Sequence, residues 1–160
     1  MELRLYDRAD APEVLRLWNT AGAAAGYAPL DADKLDALLL AHPAFCGEST
    51  FVLEEKGAIL GFAAGCTGNA LAHGAVRGYV SCVLLDASCD TSENTALLLG
   101  AIEDTFRARG KSVAAVTFFN PLRLPWIIPG TDGHQHNNMP GIPKDIPLYE
   151  RMLSLGYREA

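Results

Sequence analysis

Several features that would decide a protein's class at once are missing from this 160-residue chain. Every apolar run, "ALLLA" included, falls far short of the roughly 20 residues that span a bilayer. No cluster of Lys or Arg is present, and the net charge is −6 with a pI near 5.1. That balance speaks against nucleic acid or a membrane surface as partner, since both need a basic footprint. Cys46, Cys66, Cys82 and Cys89 show no CxxC spacing, and the first three lie in or beside apolar stretches. Buried free thiols are expected, with no disulfide or metal framework. The opening "MELRLYDRADAPE" is charged from the start and lacks the apolar core of a signal peptide, so a cytoplasmic location is expected.

What is present is a globular composition, 49% hydrophobic and 20% charged, at a length that suits one domain over residues 1–160. A short alternating strand is predicted at Glu2–Tyr6. A helix follows, with Asp10 as N-cap, Pro12 in its first turn, Glu13 closing a capping box and Val14, Leu17 and Trp18 facing inward. "DADKLDALLLAHP" reads as a second helix, capped by Asp31 and ended before Pro43. "TFVLEEKGAILGFAAGCTGN" reads as a hairpin turning at Lys56-Gly57. Tyr79 to Leu85 form a central strand, and a helix runs from about Glu93 to Arg109 with Leu98, Ile102 and Phe106 on one face. "KSVAAVTFF" reads as a buried strand, and "IPLYERMLSLGY" as a short helix ended by Gly156. The order β-α-α-β-β-β-α-β-α predicts an α/β (α+β) fold, a mixed and mostly antiparallel sheet flanked by helices on both faces.

The passage "LLDASCDTSENTALLLGAIEDTFRARG" joins the central strand to the longest helix. Free N–H groups at such a helix start are a common phosphate cradle. Here the turn carries Asp86, Asp90 and Glu93, no Lys or Arg, and no glycine before Gly100. Asp90 and Glu93 have the spacing of a capping box, each able to accept from the other's N–H, with Thr91 and Ser92 as alternative caps. A self-capped helix is the preferred reading over a phosphate loop.

On these residues the chain resembles the GNAT superfamily of acetyl-CoA-dependent N-acetyltransferases. The likeness is carried by "GAILGFAAGCTGN" as third strand, "YVSCVLLD" as splayed fourth, the helix ending "FRARG", the strand "SVAAVTFF" and the closing "YERMLSLGY". It implies acetyl-CoA as cofactor and a small amine as acceptor. It also implies a turn of the form R/Q-x-x-G-x-G/A under the diphosphate, and the matching positions Asp90, Glu93 and Thr95 all depart from it. Coenzyme A would meet Asp90, Thr91, Ser92, Glu93, Asn94 and Thr95 there, and its pantetheine arm would lie along the backbone of Cys82, Val83, Leu84 and Leu85. Two carboxylates about 6 Å from a diphosphate would cost roughly 1–3 kcal/mol each.

The resemblance also implies a tyrosine acid four residues before the glycine of a Leu-Gly-Phe signature. Met152 occupies that place, and a thioether donates no proton. Tyr149, one turn earlier, is the substitute candidate for catalysis. For a base only Glu54 and Glu55 offer themselves, both expected in solvent. Asn19 and Tyr27 are the polar candidates for contact with an acceptor.

The long segment "NPLRLPWIIPGTDGHQHNNMPGIPKD" is expected to be a lid or docking surface, anchored by Trp126, Ile127 and Ile128. His134 and His136 with Asp132 make only a fragment of a metal site, needing His42 or His73 to complete it, and a solvated loop is preferred. Only "REA" follows Tyr157, so the fold is expected to lack its final strands. The chain then reads as the weakly active or non-catalytic amino-terminal part of a tandem GNAT acetyltransferase, paired with a second such domain or as a homodimer. Two alternatives stand beside it: a complete active small-molecule N-acetyltransferase using Tyr149, and a coenzyme-free interaction module.

Overall fold

The structure is a computed structural model that describes residues 1–118 and 120–160. Five strands form one sheet in the order β1-β2-β3-β4-β5. They are β1 (Glu2–Leu5), β2 (Thr50–Glu55), β3 (Ala58–Cys66), β4 (Arg77–Leu85) and β5 (Val113–Ala115). The first four are antiparallel, and β4 and β5 are parallel because helix α3 (Ser92–Ala108) carries the chain across between them. Helix α1 (Ala11–Leu17) widens into a π-type stretch, Trp18–Gly22, and α2 (Ala32–Leu35) does the same over Asp36–Leu40. A small hairpin, β6 (Trp126–Ile127) with β7 (Gln135–His136), and helix α4 (Pro147–Ser154) complete the order. This is the mixed, mostly antiparallel sheet with flanking helices that the sequence predicts. Among the described residues no helix is long and apolar enough to cross a membrane.

The β2–β3 turn falls on Lys56 and Gly57, at φ of 53° and 84°. Two consecutive positive φ values make the tight turn whose twist matches the strands it joins. Asp31 caps α2 by accepting from the Lys34 N–H at 2.8 Å, as expected. Asp10 behaves otherwise. Its carboxylate receives Arg4 through both terminal guanidinium nitrogens at 2.8 Å, and the Asp7 N–H at 2.8 Å. Asp7 takes over the capping of a preceding 3-10 turn, Arg8–Asp10, and the Asp10–Glu13 box does not form. The ionic partner outcompetes the local one.

The two faces of the sheet carry separate cores. Val14, Leu17, Trp18 and Leu39 pack with Phe62, Cys82 and Leu84 on one side. Leu98, Leu99, Ile102 and Phe106 of α3 pack with Leu53, Ala63, Val80 and Val83 on the other, joined by Met152 from α4. Phe106 lies so close to the sheet that a Cβ on Gly78 would come within 2.4 Å of its ring, and one on Gly65 within 2.9 Å. Those two glycines are what let α3 seat itself. All four cysteines are free; Cys66, Cys82 and Cys89 are buried, and Cys46 is half-buried beside the Arg109 guanidinium, 3.2 Å from its sulfur. Burial pushes the Cys66 thiol up to about 11 and the Cys82 thiol up to about 12.

The last strand differs from expectation. β5 spans only Val113–Ala115 and Val113 is exposed, so "KSVAAVTFF" is not a buried strand. Phe119, its final residue, lies outside the described residues. The chain leaves the sheet once the parallel pairing ends at Tyr79 and Ala115. After α4, residues 155–160 form no strand.

Candidate functional site

Strands β4 and β5 pair at Arg77–Tyr79 and then part, leaving a fork with the second half of β4 on one arm and Val116, Thr117, Asn120, Leu122 and Leu124 on the other. β4 is irregular at the same point. Ala64 pairs with Cys82 and Gly65 with Val80, so Ser81 is an extra residue. Such a bulge bends the strand and shifts its alternation, which is why Val80 and Val83, three apart, share the α3 face.

The fork is filled by a side chain. Asn120 is 8% exposed, and its Nδ2 donates to the Val80 carbonyl at 3.0 Å. Its Oδ1 accepts from the Ser81 hydroxyl and from the Leu122 N–H, each at 3.1 Å. The remaining cavity, bordered by Tyr27, Cys82, Val83 and Met139, amounts to about 10 Å³. That is room for one water at most. Tyr27, buried against Trp18 with ring centroids 4.6 Å apart, is held strongly in its neutral form by burial. Asn19, the other predicted acceptor contact, is spent on the backbone of Leu30, donating at 2.8 Å and accepting at 2.9 Å.

At the start of α3 the N-cap is Thr91, whose Oγ1 accepts from the Asn94 N–H at 3.2 Å. The Asn94 side chain in turn donates to the Cys89 carbonyl at 2.8 Å, and the Thr95 hydroxyl to the Thr91 carbonyl at 2.9 Å. The Asp90–Glu93 box is therefore replaced by one of its alternatives. Asp90 is drawn away by Arg151 of α4, which pairs with its carboxylate and donates to its carbonyl at 2.7 Å. Ser92 and Glu93 are exposed. Asp86 closes its own turn with Ser88, whose hydroxyl and N–H hold its carboxyl below the usual aspartate range.

The candidate acid and bases are scattered. The Tyr149 hydroxyl donates to Glu159, whose carboxylate raises its pKa, and Lys144 lies 5.6 Å from its ring centre. Tyr149 does not line the fork. Met152 is buried under α3, and the Tyr157 hydroxyl donates to Glu103 at 2.9 Å. Glu54 is paired with Arg4 at 2.6 Å, and Glu55 lies 3.8 Å from the amino terminus. His134 and His136 are exposed, and among the described residues no group of three or more His, Cys, Asp or Glu suits a metal ion. The long segment does pack down through Trp126, and its Trp126, Met139 and Ile142 border an open groove of about 430 Å³ with Ala25 and Gly26.

Sequence reasoning missed Ser81, Asn120 and Arg151. Ser81 left a signal, as the one polar residue inside an apolar strand. Asn120-Pro121 looked like an ordinary turn, and nothing local ties Arg151 to a residue 61 positions away.

No protein-family model matches the sequence, and no curated protein matches it. Solved structures do. A GNAT family acetyltransferase from Brucella melitensis, solved with acetyl-CoA, superposes with a TM-score of 0.57 at 22% identity, over 71% of this chain and 72% of that one. An N-acetyltransferase from Staphylococcus aureus Mu50 gives 0.56 at 22%, over 71% and 70%. The ribosomal-protein-S18-alanine N-acetyltransferase from Escherichia coli gives 0.54 at 14%, over 71% and 63%. At these identities the likeness is one of fold, and the fold is that of the GNAT acetyltransferases.

Proposed function

From the GNAT fold as premise, we propose that this domain is a weakly active or non-catalytic relative of the acetyltransferases, a poor binder of acetyl-CoA that works beside a second, catalytic domain. The observation that carries this reading is the filled fork. In an acetyltransferase of this fold the coenzyme's arm would lie along β4, where this chain keeps Asn120 and about 10 Å³ of space. Asn120 takes the Val80 carbonyl and the Ser81 hydroxyl, just ahead of Cys82–Leu85, so the arm would share the fork with this side chain.

The diphosphate end fares little better. Thr91 already satisfies one helix-start amide, and Glu93 stands exposed beside it. Arg151 neutralises Asp90, so the repulsion falls mainly on Glu93, at roughly 1–3 kcal/mol for a charge about 6 Å away. Acid and base are also poorly supplied. Tyr149 is engaged by Glu159, and Glu54 by Arg4. The outer side of β5, with Val113 exposed, suits pairing with a further domain or a second copy.

Native mass spectrometry with acetyl-CoA, together with turnover on a panel of small amines, tests the reading. Binding only at millimolar coenzyme and no turnover above the uncatalysed rate are expected. A micromolar complex that acetylates an amine would overturn it.

A further inference from the structure

We infer that the outer face of α3 is a self-pairing surface, on which two copies of this chain cross antiparallel at Gly100. The inference goes beyond the functional reading and is independent of both the fork and the β5 edge.

Gly100 lies in the middle of α3, where a glycine weakens a helix relative to alanine through its backbone freedom. Gly65 and Gly78 have a reason inside the molecule, since they make room for Phe106. Gly100 has none of that kind. Among the described residues, a Cβ built on it meets nothing within 4 Å beyond the helix itself. Its bare backbone faces the solvent side, where it lets a second helix approach closely.

The neighbours of Gly100 fit such an approach by a second copy. Glu93, Leu97, Gly100, Asp104 and Arg107 follow at steps of four, three, four and three, which keeps them on one strip of the helix. That strip lies opposite the buried Leu98, Ile102 and Phe106. Leu97 is 44% exposed, a large apolar side chain left in solvent one turn from the glycine. The ends of the strip carry opposite charges, Glu93 in the first turn and Arg107 in the last, both exposed. Each stands seven positions from Gly100. A two-fold axis at Gly100 therefore sets Glu93 of either copy against Arg107 of the other, and each Leu97 over the other copy's bare backbone. Antiparallel helix dipoles favour the same orientation. A patch that is its own complement under a two-fold axis closes as a dimer and does not propagate. Arg107 is held on this face by Asp104 at 2.7 Å and Glu103 at 3.0 Å. The interface is small and each copy carries a net charge of −6, so association in the micromolar range is expected.

Sedimentation velocity of the full chain across the micromolar range tests this, with a reversible monomer–dimer equilibrium expected. Gly100→Leu points its side chain into open space within one copy, so the fold should persist by circular dichroism. Dimer affinity should nevertheless fall at least about tenfold, because the helices can no longer meet at that point. Glu93→Arg and Arg107→Glu should each weaken the dimer, and the two together should restore it, since the reversed charges face each other again. That rescue decides the pairing even where leucine disturbs the helix. A chain that stays monomeric throughout would overturn the inference. So would a dimer indifferent to Gly100→Leu in a folded variant, or one without charge rescue, which would place the contact on another face. Acetyl-CoA binding and turnover bear on the functional reading alone and leave this result unchanged.

Discussion

At its β1 edge the sheet closes with four residues of regular ladder and a charged clamp, Arg4 held between Glu54 and Asp10. At its β5 edge it closes with three residues of ladder and a fork sealed by one carboxamide. The first edge has redundant fastenings: losing one ion leaves the backbone register in place. The second has a paired end secured by packing and an open end bridged by the Asn120 side chain. Stability and function are therefore expected to separate along β4, with the paired end carrying one and the open end the other.

Phe106→Ala should have the largest effect. It empties the space above Gly65 and Gly78 at the paired end, and a buried phenylalanine costs about 3–5 kcal/mol when truncated. Urea denaturation measures it. A loss below about 1 kcal/mol would mean that packing does not hold the paired end.

An intermediate effect is expected at the β1 edge, and it depends on pH. The Arg4 hydrogen bonds hold the Asp10 carboxyl below its ordinary 3.8 in the folded state. The unfolded chain thus takes up this proton first. The contribution is complete above 3.8 and is lost as pH falls through the lower folded value. Asp10→Asn should be less stable at neutral pH and show a shallower loss of thermal stability in acid. An unchanged acid limb would remove the clamp from the comparison.

The smallest effect belongs to Tyr149→Phe. With its hydroxyl on Glu159 and outside the fork lining, the change should leave the thermal midpoint essentially where it is. Any residual acetyl transfer should continue at the same rate. A sharp fall in that rate would give Tyr149 the role of acid and put chemistry outside the fork.

The parts of this molecule legible in its sequence are those decided by neighbours in the chain. The Lys56-Gly57 turn, the Asp31 cap and the apolar face of α3 each follow from residues a few positions apart. Asp10 and Asp90 were misread for a common reason. Each has capping geometry nearby, and each is claimed by an arginine brought in by the fold, Arg4 or Arg151. β5 was overextended because Val116, Phe118 and Phe119 continue its apolar pattern in the sequence beyond the pairing that ends at Ala115. The candidate site was legible as a place, at the end of β4 and the start of α3. Its contents were not, because Asn120 meets Val80 and Ser81 only once the crossover has been made.

The distribution of thiols has a practical outcome. Three of the four are shut inside the protein, and Cys46 alone combines partial access with a cationic neighbour. The chain thus comes with a ready-made point of attachment at the corner where Arg109 follows α3. A fluorophore placed there needs no engineering, and its emission would report on that corner while the fork is being titrated.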